Sequence, residues 1–306
     1  MIQQLGLLAI LVLALIVFSA TAPNFFSVIN IENILRQAAF AGIIAMGMTL
    51  VIVAGEIDIS VGSAVAFACA LMGVLFERGW DIWLAMLLVL VAGTAVGAFA
   101  GFVRARFGVP SFITTLALFL SLRGVAEMIT DTRTIPVPSP VLEAMNASYL
   151  GLPFPVWVFL AVMIVFAWIS TATVFGRSVY AIGGNPHAAR LSGLSVTRVR
   201  VIVFALTGFL AAITGILTTA RIGVGTSVVG NGLEFSVIAA VIIGGTSLAG
   251  GRGSIIGSVL GVLFVVVLGN ALVLYGVGSS AQLAVQGAVV LIAVLINSIR
   301  RDRRHD

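Results

Sequence analysis

The stretch that decides the fold is IAAVIIGGTSLAGGRGSIIGSVLG, from Ile238 to Gly261. It combines an apolar helix, a glycine-rich break that carries Arg252, and a second apolar helix. The break contains two glycine pairs, Gly244 with Gly245 and residues 250–251. Adjacent glycines weaken a helix, and inside a lipid bilayer such a weakness persists only where protein or water satisfies the freed backbone groups. The pattern predicts either a tight turn between two spanning helices or a part of a transport route or helix interface.

Glycines also recur at every fourth position along two of the helices. In the second helix of the opening stretch they are Gly253, Gly257 and Gly261. In an earlier apolar run they are Gly93, Gly97 and Gly101. Each set leaves one helix face without side chains, so another backbone can approach closely in a medium where hydrophobicity does not drive helix association. Both strips predict packing faces rather than catalytic ones.

The composition defines the class of protein. Of the 306 residues, 60% are hydrophobic and 9% are charged, and the mean hydropathy is +1.22. A soluble fold cannot be covered with so few charges, so the chain is an integral membrane protein. The arginines stand at the ends of apolar runs, which argues against a nucleic-acid-binding patch. All sixteen basic residues are arginine, and the absence of lysine excludes a phosphate-binding loop that ends in GK[ST].

Counting the apolar runs predicts an all-α, polytopic membrane protein of about ten transmembrane helices, organised as one transmembrane domain over residues 1–306. The runs cover 5–20, 38–54, 61–76, 82–103, 111–130, 156–173, 201–220, 235–249, 254–275 and 281–299. Each is close to the ~20 residues that cross a bilayer. With both termini in the cytoplasm, eleven arginines lie inside and four outside, in agreement with the positive-inside rule. This orientation predicts a cytoplasmic loop at 174–200 and a main periplasmic loop at 131–155.

The stretch AGEIDISVGS, from Ala54 to Ser63, is the second informative break. Glu56 and Asp58 are costly at membrane depth, about 2.5–3.5 kcal/mol for a charged group at a helix centre, so we expect them to face water or partners. The stretch is either a polar turn at the surface or a hinge or gate along the route, with Ser60 beside the two acids. It echoes AGGRGSIIGS (residues 249–258) in its first two and last two residues, as internal repeats of transporters do. The echo leaves open whether Glu56 or Asp58 meets Arg252.

Arg123 and Glu127 stand within the apolar run 111–130. Four residues apart, they share one helix face and can neutralise each other. Alternatively, both extend toward the outer surface, and a substrate contact is the third possibility.

The predicted outer loop, 131–155, contains five of the eight prolines. This density predicts an ordered, non-helical connection with limited flexibility. A partner that delivers a solute could dock there.

A short helix outside the bilayer is predicted within the loop 174–200. Asn185 can cap a helix, Pro186 suits the first helical position, and Gly193 can end it. His187 and Arg190 would border the helix, with Ala188, Ala189 and Leu191 as small apolar contacts. It could equally rest on lipid head groups as an interfacial helix. His187 has no companion at metal-ligand spacing, and the lone cysteine supports no disulfide, so we expect no metal and no cofactor.

Four stretches in order carry a resemblance: MGMTLVIVAGEIDISVGS, VPSFITTLALFLSLRG, GRSVYAIGGNPHAARLSGL and LEFSVIAAVIIGGTSLAGGRGSIIGSVLG. The chain resembles the permease subunit of bacterial ribose-type sugar ABC importers. The resemblance implies a permease that dimerises with a second copy or a paralogue, receives a sugar from a periplasmic solute-binding protein, and is driven by a cytoplasmic ATPase subunit. It also implies that residues 184–193 form the coupling helix that inserts into the ATPase. Glu56 departs from the pattern, because relatives commonly have a glycine there.

The expected function is therefore passage of a monosaccharide or related polyol across the bacterial inner membrane, with no enzymatic activity in this chain. The pathway or gate candidates are the two breaks, represented by Glu56, Asp58, Ser60, Gly244, Gly245 and Arg252. The alternative is an ion-coupled secondary transporter that uses Glu56 and Asp58 as its ion site and needs no partner.

Overall fold

A computed structural model describes residues 2–278, 280–282, 284–285, 287–289, 291–292 and 295. The helices are α1 (Ile2–Thr21), α2 (Val28–Val53), α3 (Val61–Glu77), α4 (Ile82–Phe107), α5 (Ser111–Thr130), α6 (Pro140–Asn146), α7 (Phe154–Ala172), α8 (Val174–Gly184), α9 (Pro186–Leu191), α10 (Val196–Ile222), α11 (Leu233–Ile243) and α12 (Ile255–Leu274). The short strands are β1 (Ile135–Pro136), β2 (Ser148–Tyr149), β3 (Leu152–Pro153) and β4 (Val224–Gly225).

Seven helices of the described chain are long and apolar enough to cross a membrane: α1, α2, α4, α5, α7, α10 and α12. The first nine predicted runs each fall on a helix, which confirms the polytopic, helical architecture. The tenth, at 281–299, is described at ten of its nineteen positions, all of them helical, and the arginines that follow it lie outside the described residues. The prediction of a span over 235–249 is wrong in extent. Its helix, α11, has 11 residues and reaches about 16 Å, roughly half of a bilayer core.

α2 is the central helix, with 83% of its apolar window buried. It is apolar all round because it packs against α7, α10, α11 and α12. Small residues allow these close contacts. A Cβ at Gly42 would overlap the ring of Phe159, and one at Gly47 would lie 3.1 Å from the Cα of Thr207.

The two glycine strips are packing faces, but the prediction is wrong for Gly253, which lies before α12 begins, against the side chains of Val53 and Thr246. Gly93, Gly97 and Gly101 lie against the backbone of α10, where Gly208 supplies a matching gap. Gly257 and Gly261 lie against the backbone of α11 near Gly244. Both strips therefore build contacts within one chain.

We call the end that carries the strands the outer end and the end that carries α9 the inner end, after the orientation predicted from the arginines. At the outer end β1 pairs antiparallel with β4, and β2 pairs with β3. The prediction that 131–155 is non-helical is wrong for α6, because Pro140 takes the first helical position that suits proline. Arg36 donates to Asn146 at 3.0 Å and anchors this connection to α2.

Residues 224–232 run inward from β4 along α3. A Cβ on Gly73 would lie 2.8 Å from the Cα of Gly225, whereas Gly62, near the start of α3, contacts Gly230. Non-helical backbone at membrane depth is tolerated only where protein or water satisfies it. α3 provides that cover, and α11 begins where this extended segment ends.

Candidate translocation and coupling site

The first break covers residues 54–60, between α2 and α3. Gly55 has φ +79°, a value that favours glycine and turns the chain out of the helix. The freed N–H groups are satisfied from α5: Ile57 donates to the Ser111 hydroxyl at 3.1 Å and Ile59 to the Thr115 hydroxyl at 3.2 Å. The break is therefore an ordered segment rather than a loose surface turn.

Asp58 lies in this break with 2% of its surface exposed. One carboxyl oxygen accepts hydrogen bonds from the backbone N–H and the hydroxyl of Ser60, at 2.9 and 2.6 Å. The carboxyl thus holds the turn that leads into α3. Asp58 and Ser60, two of the predicted gate residues, form one local unit.

Glu56 forms ion pairs with arginines from two other helices. Its carboxylate lies 2.8 Å from the Arg104 Nε on α4 and 2.7 Å from the Arg200 Nε on α10. The Glu56 side chain is 2% exposed, against 23% for Arg104 and 12% for Arg200. Among the described residues, Glu56 forms ion pairs with Arg104 and Arg200. Arg252, the partner that the sequence echo had left open, does not pair with it.

The second break covers residues 244–254, between α11 and α12. Gly245, Gly250 and Gly251 all have positive φ values, 93°, 83° and 71°. The segment folds back on itself, with the Ser247 N–H donating to the Arg252 carbonyl at 2.9 Å, and the Arg252 side chain is exposed. Glycine supplies the backbone freedom that this turn requires.

The two breaks touch each other through backbone atoms. The Gly251 N–H donates to the Val53 carbonyl at 2.8 Å, and a Cβ on Gly250 would lie 3.0 Å from the Cα of Gly55. Gly183 of α8 packs into the same place, where a Cβ would overlap the Val53 carbonyl and lie 2.6 Å from the Gly251 nitrogen. We call Gly55, Gly183, Gly250 and Gly251 the glycine junction. The echo in the sequence thus corresponds to contact in space.

α9 follows α8 directly and is the predicted short helix. The Asn185 side chain accepts from the N–H groups of His187 and Ala188, both at 3.0 Å. Pro186 is the first helical residue, and Gly193 has φ +84° beyond the C-cap. Ala189 is buried, whereas Leu191 is 78% exposed. His187, Ala188 and Arg190 are exposed as well.

α8 is also tied to the second break by a side chain. The Tyr180 hydroxyl donates to the Gly253 carbonyl at 3.1 Å. Burial raises the pKa of Tyr180, further from physiological pH, at which a tyrosine hydroxyl is already protonated and able to donate. α8 therefore contacts the second break at two points, through Gly183 and through Tyr180.

Arg123 of α5 binds the extended segment 224–232. Its guanidinium donates to the Ser227 carbonyl and, at 2.9 Å, to the Val229 carbonyl. Among the ion pairs of the described chain, none within 4 Å joins Arg123 to Glu127, and Glu127 is exposed. The structure thus gives Arg123 backbone partners that sequence reasoning missed. α5 consequently supports the first break at one end and this extended segment at the other.

Glu234 was also missed, because it stands directly before an apolar run. Glu234 lies in the first turn of α11 and is 1% exposed. Its carboxyl accepts hydrogen bonds from the backbone N–H groups of Gly232 and of Glu234 itself. Its carboxyl also packs on Gly62 in the first turn of α3. The first N–H groups of a helix have no partner within the helix, so this carboxyl satisfies donors at the start of α11 and links them to the start of α3.

Clusters of three potential metal ligands do not occur among the residues that the structure describes. The site offers hydrogen bonds, ion pairs and close backbone contacts. Such contacts can transmit a movement from one helix to another and can line a route for a solute.

Comparison with known proteins gives the class and the family. Residues 30–294 match the family model described as "Branched-chain amino acid transport system / permease component". The chain is 45% identical to the probable ABC transporter permease protein YphD of Escherichia coli K12, covering 99% of this chain and 91% of that protein. It is 40% identical to the ribose import permease protein RbsC of E. coli K12, over 97% and 94%. It is 32% identical to the xylose transport system permease protein XylH of the same strain, over 99% and 93%.

The fold and these matches define a multi-pass permease of the bacterial inner membrane. More particularly, the chain belongs to the family of permease components that this family model describes. No solved structure matches it. The alternative of an ion-coupled secondary transporter is not favoured, because the relatives of this chain include a probable ABC transporter permease and a ribose import permease. In addition, Glu56, one of the two proposed ion ligands, already forms ion pairs with two arginines.

Proposed function

We propose that this chain is the membrane-spanning subunit of an ATP-driven importer for a monosaccharide or related polyol. Support for the substrate class comes from the relatives named for ribose import and xylose transport. Support for ATP as the energy source comes from the relative named as a probable ABC transporter permease. The chain itself contains no lysine, which a phosphate-binding loop of the Walker type requires. ATP is therefore bound and hydrolysed by a partner subunit in the cytoplasm. A periplasmic solute-binding protein delivers the sugar, and a second copy or a paralogue of this chain completes the route.

One observation carries the coupling proposal: α9 presents an exposed surface and continues from the helix that packs on both breaks. Leu191 and Arg190 are free to enter a groove of the ATPase, while Ala189 holds α9 to its own chain. Movement of α9 reaches Gly183 and then the glycine junction. Closure of the ATPase dimer thereby shifts the helices between outward-open and inward-open states. The pathway and gate residues of the two breaks act in this shift.

The test of the coupling proposal is Leu191→Glu. A carboxylate on the exposed face of α9 should abolish uptake and reduce co-purification of the ATPase, because a charge would be buried in the contact. Ala189→Glu should instead destabilise the permease itself, since Ala189 is 5% exposed. The matched control is Leu150→Glu, which alters a leucine that is 92% exposed at the outer end and should leave ATPase binding unchanged. Normal uptake and ATPase binding in Leu191→Glu would contradict the proposal.

A further inference from the structure

A cavity of about 420 Å³ lies between α2, α10, α11 and α12. Phe40 of α2, Thr218 of α10 and Ala239 of α11 are among its lining residues. The volume is within the ~300–1,000 Å³ range of small-ligand sites, toward its lower end. A compound of monosaccharide size fits such a space, whereas a protein segment does not.

The cavity offers neutral hydrogen-bonding groups from several elements. They are Gln37, Thr214, Thr218, Asn231, Ser236 and Gln282. The remaining described lining is apolar or glycine, and none of it is charged. The threonine and serine hydroxyls donate to carbonyls of their own chain and still have lone pairs with which to accept from a sugar hydroxyl. The side-chain amides can both donate and accept, as sugar hydroxyls do. A lining of this kind gives weak, reversible binding that suits passage.

Two charged groups come near the cavity without lining it. The Arg221 guanidinium lies 5.5 Å from the centre of the Phe40 ring, on which it can form a cation–π contact. The Glu234 carboxyl lies at the N-terminus of α11, beside the lining residues Gly232 and Leu233. It already occupies the helix end that would otherwise attract an anion. The lining therefore offers a carboxylate or phosphate neither a free helix end nor a charged partner, and burying an unpaired charge is costly.

A closed pair of amides connects α2 and α12. Asn30 donates to the Asn270 oxygen at 3.0 Å, and Asn270 donates back to the Asn30 oxygen at 2.8 Å. Both residues are buried. A reciprocal amide pair in an apolar setting fixes the spacing of two helices. Two of the cavity walls are thus held apart at a defined distance.

We propose that this cavity is a compartment of the transport route that accepts neutral polyhydroxy compounds and excludes carboxylates, phosphates and zwitterionic amino acids. The proposal rests on the proposed import function and adds the location of the compartment and its charge selectivity. Gln37, Asn231 and Ser236 hydrogen-bond the solute, and the Phe40 ring packs against its apolar face. The predicted exclusion of amino acids distinguishes this chain from other members of its family, because the description of the family model refers to branched-chain amino acids.

The first test is protection of a cysteine in the cavity from a small maleimide. Thr218→Cys in a Cys69→Ala background would be labelled in membrane vesicles that contain the assembled transporter. D-Xylose and xylitol should slow labelling by about twofold when present at their dissociation constant, whereas D-gluconate and L-valine at equal concentration should not. Leu150→Cys, at the outer end, should be labelled at the same rate with and without each of these compounds. Equal protection by L-valine would overturn the proposal, and so would a lack of protection by both D-xylose and xylitol. A cavity that is filled by a lipid or by a second subunit would give this lack of protection.

The second test fills the cavity. Ser236→Trp should lower sugar uptake into proteoliposomes by about an order of magnitude, because the indole takes the space of the solute. ATP hydrolysis stimulated by the binding protein should persist, which shows that the variant is folded and assembled. Phe235→Trp is the matched control, since Phe235 is 52% exposed beside it and does not line the cavity. Gln37→Leu should raise the KM for uptake without affecting stability.

The outcomes separate the two proposals. Sugar uptake by the unaltered transporter together with unimpaired uptake by Ser236→Trp would overturn the cavity assignment and leave the import function standing. No uptake of ribose, xylose or xylitol by the unaltered transporter would refute the proposed function, and the maleimide experiment would still decide what the cavity accepts.

Discussion

The two breaks in the helices share a sequence pattern but are stabilised by different means. The first, residues 54–60, is held by side chains: Glu56 reaches α4 and α10, and α5 supplies hydroxyls to its backbone. The second, residues 244–254, is held by its own turns and by close backbone contacts at glycine. Similar spacing in a repeat therefore does not imply similar energetics. The first break depends on charge, and the second depends on the absence of side chains.

The position where the breaks meet should be the most sensitive to substitution. Gly183→Leu would drive a side chain into the Val53 carbonyl and the Gly251 nitrogen. The cost should exceed the ~1–3 kcal/mol of ordinary overpacking, because the obstacles are backbone atoms of two segments. We expect almost no folded protein, as measured by the monodisperse fraction in size-exclusion chromatography after extraction in detergent.

The neighbouring glycine provides the control for this prediction. A Cβ on Gly184 would have no atom within 4 Å, so Gly184→Ala should fold as the unaltered protein does. Gly183→Ala should already be impaired. Equal behaviour of the two alanine variants would show that the close contact at Gly183 does not limit stability.

The second largest effect should come from the charge in the first break. Glu56→Gln leaves Arg104 and Arg200 close together without their counter-charge. Removing one partner of a buried pair costs about 3–5 kcal/mol, and the 23% exposure of Arg104 should reduce this to about 2–3 kcal/mol. The loss would appear as a lower melting temperature in detergent and as reduced uptake.

A surface pair at the outer end is the matched control for Glu56. Glu77 lies 3.6 Å from Arg133, and both side chains are well exposed. Glu77→Gln should change stability by less than about 1 kcal/mol. The double variant Glu56→Gln with Arg104→Gln should recover part of the loss, because one uncompensated charge is removed. No recovery in the double variant would argue that Glu56 acts through something other than these ion pairs.

Local chemistry made several of these features predictable. Glycine pairs and charges located both breaks, and the cap at Asn185 with the stop at Gly193 located α9. These signals are contained within a few consecutive residues. They depend on backbone freedom and helix ends, which have direct signatures in sequence.

The partners of buried polar groups were not predictable in the same way. Arg123 binds Ser227 and Val229, residues more than 100 positions away, so its local neighbour Glu127 was the only candidate that spacing could suggest. Glu234 contacts Gly62 because two short helices begin at the same depth. Only the tertiary arrangement of α3, α5 and α11 determines these contacts, and a single sequence does not reveal them.

A smaller effect should follow from the hydroxyls that α5 gives to the first break. Thr115→Val removes the acceptor of the Ile59 N–H and leaves a buried donor unsatisfied, at a cost of about 1–2 kcal/mol. Thr114→Val is the control, because within the described residues the Thr114 hydroxyl donates to the carbonyl of Pro110, the N-cap of its own helix, and gives nothing to the first break. Melting temperatures in detergent should therefore fall for Thr115→Val and stay nearly constant for Thr114→Val. A fall of the same size in both would assign the effect to helix α5 in general.

The smallest predicted difference compares the last residues of the two echoed stretches, Ser63 and Ser258. Both are fully buried, but Ser258 shares a hydrogen bond with the Thr49 hydroxyl at 2.7 Å, whereas the Ser63 hydroxyl has no partner in the described chain. Ser258→Ala should cost about 1 kcal/mol, and Ser63→Ala should be neutral or slightly stabilising because it removes an unsatisfied buried hydroxyl. Melting temperatures of the two variants in the same detergent would measure this. A larger loss at Ser63 would mean that its hydroxyl is used in another state of the transport cycle, so that the first break also exchanges its hydrogen bonds as the helices move.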